Sequence, residues 1–139
     1  MIDQFEALRS SANHEWQTPP HIFAPLHEEF GFTIDGAASK ANALLPRFWS
    51  YMDNALIQDW NPERVWCNPP YGAAQLAFIR KAAASSGLSV LLIPARTDTR
   101  IWHECIHGKA EVRFLKGRVQ FVGARYNAPF ASAVVIFNG

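Results

Sequence analysis

The stretch from Val65 to Ile93 narrows the possible folds more than any other. A short apolar strand, Val65-Trp66-Cys67, runs straight into Asn68-Pro69-Pro70-Tyr71. A helix is predicted over Ala73 to Ser86 with Gly87 as its C-cap, and Val90 to Ile93 is an unbroken apolar run. A strand apolar at every position is buried on both faces, as parallel strands covered by helices are. Strand, turn, helix and strand within about 30 residues make a βαβ unit. The chain therefore reads as α/β, built on a parallel sheet.

The flanking segments fit this frame. Residues 1–15 are polar and weakly periodic, a lead-in segment, and residues 16–139 are expected to form one domain. Thr18 is placed to cap a helix with Pro19 at its first position, and Ile22, Phe23, Leu26 and Phe30 recur at helical spacing as far as Gly31. Pro25 is expected to bend that helix or delay its regular start. Phe32-Thr33-Ile34 reads as a short buried strand ending on Asp35. A helix is predicted around Ser39 to Leu44, followed by irregular chain that holds Asp53 and Asp59. Only 29 residues separate Asp35 from Val65, too few for two helical crossovers. Further on, Thr97 to His107 is predicted helical and stopped by Gly108. Glu111 to Leu115, Val119 to Val122 and Ala133 to Phe137 are predicted strands that close the sheet with an antiparallel pair.

Composition excludes more than it selects. Ten Phe and five Trp within a 49% hydrophobic chain supply a real core. Lys plus Arg number 13 against 12 Asp plus Glu, a balance that neither argues for nucleic acid nor excludes a local basic rim. Cys67 and Cys105 form no CxxC pair, so reduced thiols and a cytoplasmic setting are expected. The amino terminus lacks the basic-then-apolar order of a signal peptide, and no apolar run approaches the roughly 20 residues of a membrane span. A soluble protein with no membrane partner is expected. His103 and His107 share a helix face, but Cys105 points away and the HExxH order is absent, so no metal site is expected.

Asn68-Pro69-Pro70-Tyr71 carries the chemistry. It lies just past the carboxyl end of a buried strand, the edge where open α/β sheets bind ligands. With proline at about 5% of residues, a chance match to polar-Pro-Pro-aromatic in a chain of this length is well under one in a hundred. An aromatic amino nitrogen is a poor nucleophile because its lone pair is delocalised into the ring. Hydrogen bonds from its N–H groups to the Asn68 side-chain oxygen and the Pro69 carbonyl would return density to it. Pro69 and Pro70 lock φ and hold that carbonyl in place beforehand. Tyr71 offers a face on which a flipped base can stack.

These residues, with Trp16-Gln17-Thr18-Pro19-Pro20, Phe32 to Ala38, Asp59-Trp60, Leu92 to Thr99 and Gly117 to Phe121, resemble the phage-type Dam family of DNA adenine-N6 methyltransferases from Trp16 to Phe137. The resemblance implies a Rossmann-like methyltransferase fold, here trimmed in the middle of the usual sheet. It also implies S-adenosylmethionine as methyl donor, double-stranded DNA as partner, and a phage- or prophage-encoded protein acting in the bacterial host cytoplasm. By the same resemblance Gln17, Thr18 and Pro19 hold the methionine end of the cofactor, and Asp35 pairs with its ammonium; the plain alternative for Asp35 is a helix N-cap. Gly36-Ala37-Ala38-Ser39 stands where a glycine-rich loop would follow the first strand, with Ala37 against the cofactor. Asp53 and Asp59 are both candidates for the acid near the adenosine, and each is equally a turn former.

Arg96, Arg100, Arg118 and Arg125 lie in or beside segments that should surround the ligand edge, where basic groups neutralise phosphates. Arg125, Tyr126 and Asn127, in the loop from Gly123 to Phe130, have the chemistry to read base edges. Two rival readings keep the fold. One changes the substrate to RNA or a protein glutamine amide, and the other is a non-catalytic DNA-binding module.

Overall fold

The computed structural model describes residues 17–139, so the lead-in segment expected over residues 1–15 lies outside the described residues. Five strands form one sheet: β1 (Ile34–Asp35), β2 (Arg64–Cys67), β3 (Leu88–Pro94), β4 (Glu111–Phe114) and β5 (Ser132–Asn138), in the order β1-β2-β3-β5-β4. The first three are parallel, and β5 runs antiparallel between β3 and β4. This is the trimmed, Rossmann-like α/β sheet that the sequence implies.

Side-chain alternation along the strands produces three layers. Val65 and Cys67, Leu91 and Ile93, and Ala133, Val135 and Phe137 pack with Phe78, Ile79 and Ala82 of helix α2 (Ala73–Ala84). The intervening residues Trp66, Val90, Leu92, Val134 and Ile136 pack with Phe23 and Leu26 of helix α1 (Pro20–Phe30). On that face Trp66, fully buried, meets Phe23 edge-on at 5.3 Å and Phe32 at 5.7 Å. Burying one large apolar side chain contributes about 1.5–3 kcal/mol, so the central strands anchor both layers.

Several elements differ from expectation, each for a local reason. Pro19, not Thr18, precedes the first helix as its N-cap, with no side-chain cap. Pro25 neither delays nor stops α1; its missing N–H leaves only the carbonyl of exposed His21 without its helical partner. The strand after it begins at Ile34 rather than Phe32. No helix forms over 39–44 beyond a single turn, in which the Ala43 N–H reaches the Ser39 carbonyl (2.9 Å), because the Asp35 side chain takes the donor that would continue it. Asn42 Oδ1 accepts from the Ser39 N–H (2.7 Å), and an Asp35 oxygen accepts from the Leu44 N–H (3.1 Å). Where a further strand would flank β1, Phe48 makes a single parallel bridge to Asp35.

Helix α2 ends at Ala84 with Ser85 as its cap, not Gly87; the Ser85 hydroxyl bonds back to the Lys81 carbonyl at 2.8 Å. Residues 97–99 are a turn rather than a helix, since the Thr99 N–H and hydroxyl both return to the Arg96 carbonyl (3.2 and 2.7 Å). The helical turn that follows is π-type over Trp102–Ile106, closed by an N–H from His107 to the Trp102 carbonyl. Val119 and Phe121 are buried as their alternation predicts, yet 119–122 is not a strand. Its Val122 pairs with Gln17, and its Val119 carbonyl accepts from Ala128, so β5 finds its antiparallel partners in β3 and β4.

Candidate active site

Strand register brings the two chemically distinctive segments together. Asp35 ends β1 and pairs with Trp66 of β2, while Asn68 follows the last residue of β2. An acid and an amide so placed emerge side by side at the carboxyl edge of a parallel sheet, where ligands bind in open α/β folds. A cavity of about 610 Å³ opens there. It is lined by Gln17, Thr18, Asp35, Gly36 and Ala37 on one side of the chemistry and by Asn68, Pro69, Pro70 and Tyr71 on the other.

Asp35 is only 3% exposed, and no basic side chain pairs with it among the described residues. Its oxygens accept from the N–H groups of Ala37 (3.3 Å) and Leu44 (3.1 Å), which folds the 36–44 loop over the end of β1. It caps no helix, since none follows. Burial pushes its carboxyl up from 3.8 to about 6, and the two backbone donors offset only part of that. Gly36 lets the loop pass against β2: its N–H meets the Trp66 carbonyl at 2.7 Å, and a Cβ there would sit 3.0 Å from Val65 Cγ1.

Thr18 is 2% exposed, and among the described residues its hydroxyl has no hydrogen-bond partner although it lines the cavity. A buried polar group in that state is costly unless something arrives to meet it. Gln17 is held beside it by a two-way backbone bridge to Val122 (3.3 and 2.9 Å). Pro19 lies outside the cavity lining, buried at the start of α1. The Asn68 side chain, half-buried, makes no hydrogen bond among the described residues and is free to accept from a ligand. Half-buried Tyr71 is held neutral, its hydroxyl pushed up to about 12 by burial.

Other candidates sit elsewhere. Asp53 is exposed, faces away from the main cavity into a shallow depression, and accepts from the Ser50 N–H and hydroxyl (2.8 and 3.0 Å). Asp59 is exposed and accepts from the Asn61 N–H at 3.0 Å. Both are turn formers in this geometry. Arg96, Arg100, Arg118, Arg125, Tyr126 and Asn127 are all exposed and outside the cavity lining. Arg100 lies 3.9 Å from Glu104, and Arg125 covers the Tyr126 ring at 5.4 Å. His103 bonds to the Thr97 carbonyl (2.9 Å), and no three His, Cys, Asp or Glu side chains converge among the described residues. No helix among them is long and apolar enough to cross a membrane.

Sequence reasoning missed the opposite wall. Trp49, stacked on Trp60 at 5.8 Å, carries a turn that presents Tyr51 and Met52 at the cavity mouth, 83% and 87% exposed. Hydrophobic residues exposed on a rim were the available signal, but in an aperiodic stretch nothing distinguished them from turn residues.

The family model for DNA N-6-adenine-methyltransferase (Dam) matches residues 6–136. The chain belongs to the Dam family. The DNA N-6-adenine-methyltransferase of Escherichia phage T1 is 30% identical over an alignment of 106 residues that covers 73% of this chain and 44% of that protein. The chain thus matches less than half the length of that phage relative. Within the Dam family match lie every residue lining the cavity and all of the basic and loop residues named above.

Proposed function

We propose that the chain transfers a methyl group from S-adenosylmethionine to the N6 amino group of adenine in double-stranded DNA, with residues 16–139 acting as one methyltransferase domain. The observation that carries the reading is the shared cavity: the buried acid at the end of β1 and the Asn-Pro-Pro-Tyr turn at the end of β2 line one space. Membership of the Dam family supports the substrate. A phage relative fits action in a bacterial host cytoplasm.

Three features suit the cofactor's amino-acid end. Thr18 offers an unpartnered buried hydroxyl, Asp35 a buried carboxyl with no cation beside it, and Gly36 a backbone pressed close to β2. Gln17, Thr18, Asp35 and Ala37 would hold that end; Asp53 and Asp59, the candidates for the acid near the adenosine, lie outside the cavity lining. When bound, the donor supplies a methyl group already activated on a sulfonium. Asn68 accepts a hydrogen bond from the target amino group and the Pro69 carbonyl accepts the other, which concentrates electron density on nitrogen. The two prolines hold these acceptors in place in advance. Tyr71, neutral and half-buried, stacks on the base once it has left the duplex. The exposed arginines meet phosphates at the rim.

Transfer of tritium from labelled S-adenosylmethionine to DNA, RNA and protein in parallel, followed by nucleoside analysis, tests the proposal. Label in N6-methyladenine of duplex DNA is expected; label confined to RNA or protein would refute it.

A further inference from the structure

Phe130 lies outside both the motif and the cavity lining, yet it makes the ring contact of Tyr71 among the described residues. The two rings meet edge to face, with centroids 5.6 Å apart and planes at 74°. That is a favoured aromatic geometry and fixes the tilt of one ring by the other. Phe130 is itself held at both ends. The Ala128 N–H donates to the Val119 carbonyl (2.7 Å), and the Ala95 N–H donates to the Ala131 carbonyl (2.8 Å), tying this segment to the end of β3. Directly after Ala95, Arg96 folds back with its N–H on the Pro94 carbonyl (3.0 Å) and carries its guanidinium 5.9 Å from the Phe130 ring centroid. A cation, a ring and a second ring are thus in series, running from exposed Arg96 to the aromatic end of the motif.

Main-chain locking does not orient Tyr71 alone. Pro69 and Pro70 fix the chain before it, and Gly72 with φ 84° and ψ −150° turns it after, but χ1 and χ2 of the tyrosine remain free. A stacking platform works best if its plane is set before the base arrives, and Phe130 is the ring placed against it among the described residues.

We propose that Phe130 is a positioning residue for Tyr71, holding its ring at the tilt that receives a planar base. Arg96 over Phe130 couples phosphate contact at the rim to that platform. The inference rests on the DNA-methylation reading and adds to it a residue and a linkage that the motif alone does not contain.

The test uses the full chain with two duplexes, one carrying adenine at the target position to measure kcat and one carrying 2-aminopurine there, whose fluorescence rises on leaving the stack. Phe130→Leu keeps apolar bulk but removes the ring. It is expected to lower kcat and the fluorescence rise about 2- to 10-fold, the scale of one aromatic pair, with cofactor affinity unchanged. Phe130→Tyr, which restores a ring, should recover both. Arg96→Ala should reduce the fluorescence rise in the wild-type background but add nothing in Phe130→Leu. Wild-type kcat and fluorescence in Phe130→Leu would overturn the positioning role, and so would a parallel loss of cofactor affinity, which marks a packing defect. Additive effects of the two substitutions would overturn the coupling. If the wild-type chain transfers no methyl group to any duplex while binding cofactor, the underlying reading fails with it, and the two failures are distinguished by that control.

Discussion

The acid at the end of β1 makes a quantitative pH prediction. Asp35 is buried with no cation beside it among the described residues, and burial pushes its carboxyl up from 3.8 to about 6. Because the folded value is the higher one, the unfolded chain releases this proton first. Between about pH 4 and pH 6 the native state binds more protons, so stability falls as pH rises and levels off above 6. At about 1.4 kcal/mol per pKa unit the loss is about 3 kcal/mol. Cofactor binding should run the opposite way. An ammonium selects the ionised carboxylate, so below pH 6 affinity should rise about tenfold per unit, then stay flat until the ammonium itself titrates near 8. Urea unfolding of the free protein from pH 4 to 7 measures the first effect, and calorimetric titration with S-adenosylmethionine over pH 5 to 8 measures the second. Asp35→Asn leaves one of the Ala37 and Leu44 donors without its carboxylate acceptor, a cost independent of pH, and it should abolish both slopes. Equal slopes in wild type and Asp35→Asn would refute the argument that burial holds this acid ready for a cation. A flat stability profile with a sloping affinity would instead leave the ion pair and remove the desolvation.

Asn68→Ala should cut methyl transfer about 10²–10³-fold with cofactor affinity nearly unchanged if, as proposed, the amide accepts from the target nitrogen; single-turnover rates and calorimetry separate the two. Thr18→Val removes a buried hydroxyl that has no partner in the free protein. The free variant should therefore be as stable as wild type or more so by up to about 1 kcal/mol, while cofactor binding weakens about 5- to 10-fold, the scale of one neutral hydrogen bond; thermal melts with and without cofactor show both. The double substitution Arg125→Ala, Asn127→Ala should change which sequences are methylated and leave cofactor affinity alone, as methylation profiling of a random-sequence duplex library would reveal; an unchanged preference excludes the loop as reader.

What could be read in the sequence follows from what periodicity encodes. Alternation and solid apolar runs report burial, so β2, β3, β5 and the two faces around Trp66 and Leu91 were legible, as was the trimming between Asp35 and Val65. Periodicity does not report pairing. Val119 and Phe121 alternate like a strand because both are buried, yet their backbone groups are taken by Gln17 and Ala128. Nor does it report competition from side chains, which is why Asp35, holding the Leu44 N–H, cuts the helix expected over Ser39 to Leu44 to a single turn.

The candidate site divides along the same line. Asp35 and Asn68 were legible because each ends an apolar strand, and two short parallel strands with little chain between them must bring their carboxyl ends together. Asp53 and Asp59 had the right chemistry in the right interval, but each is spent on a turn, and nothing in their spacing says which way a turn faces. Phe130 was invisible for the converse reason. Its meaning lies in a ring contact with Tyr71 that exists only after β5 has inserted between β3 and β4, so no local pattern announces it. Residues that line the cavity at strand ends could thus be inferred from the sequence, whereas a contact such as that of Phe130 with Tyr71 depends on long-range register. On the proposed reading the arginine rim divides too: Arg96, placed over Phe130, would couple to base capture, while Arg100 and Arg118, which touch neither ring, would act on phosphates alone.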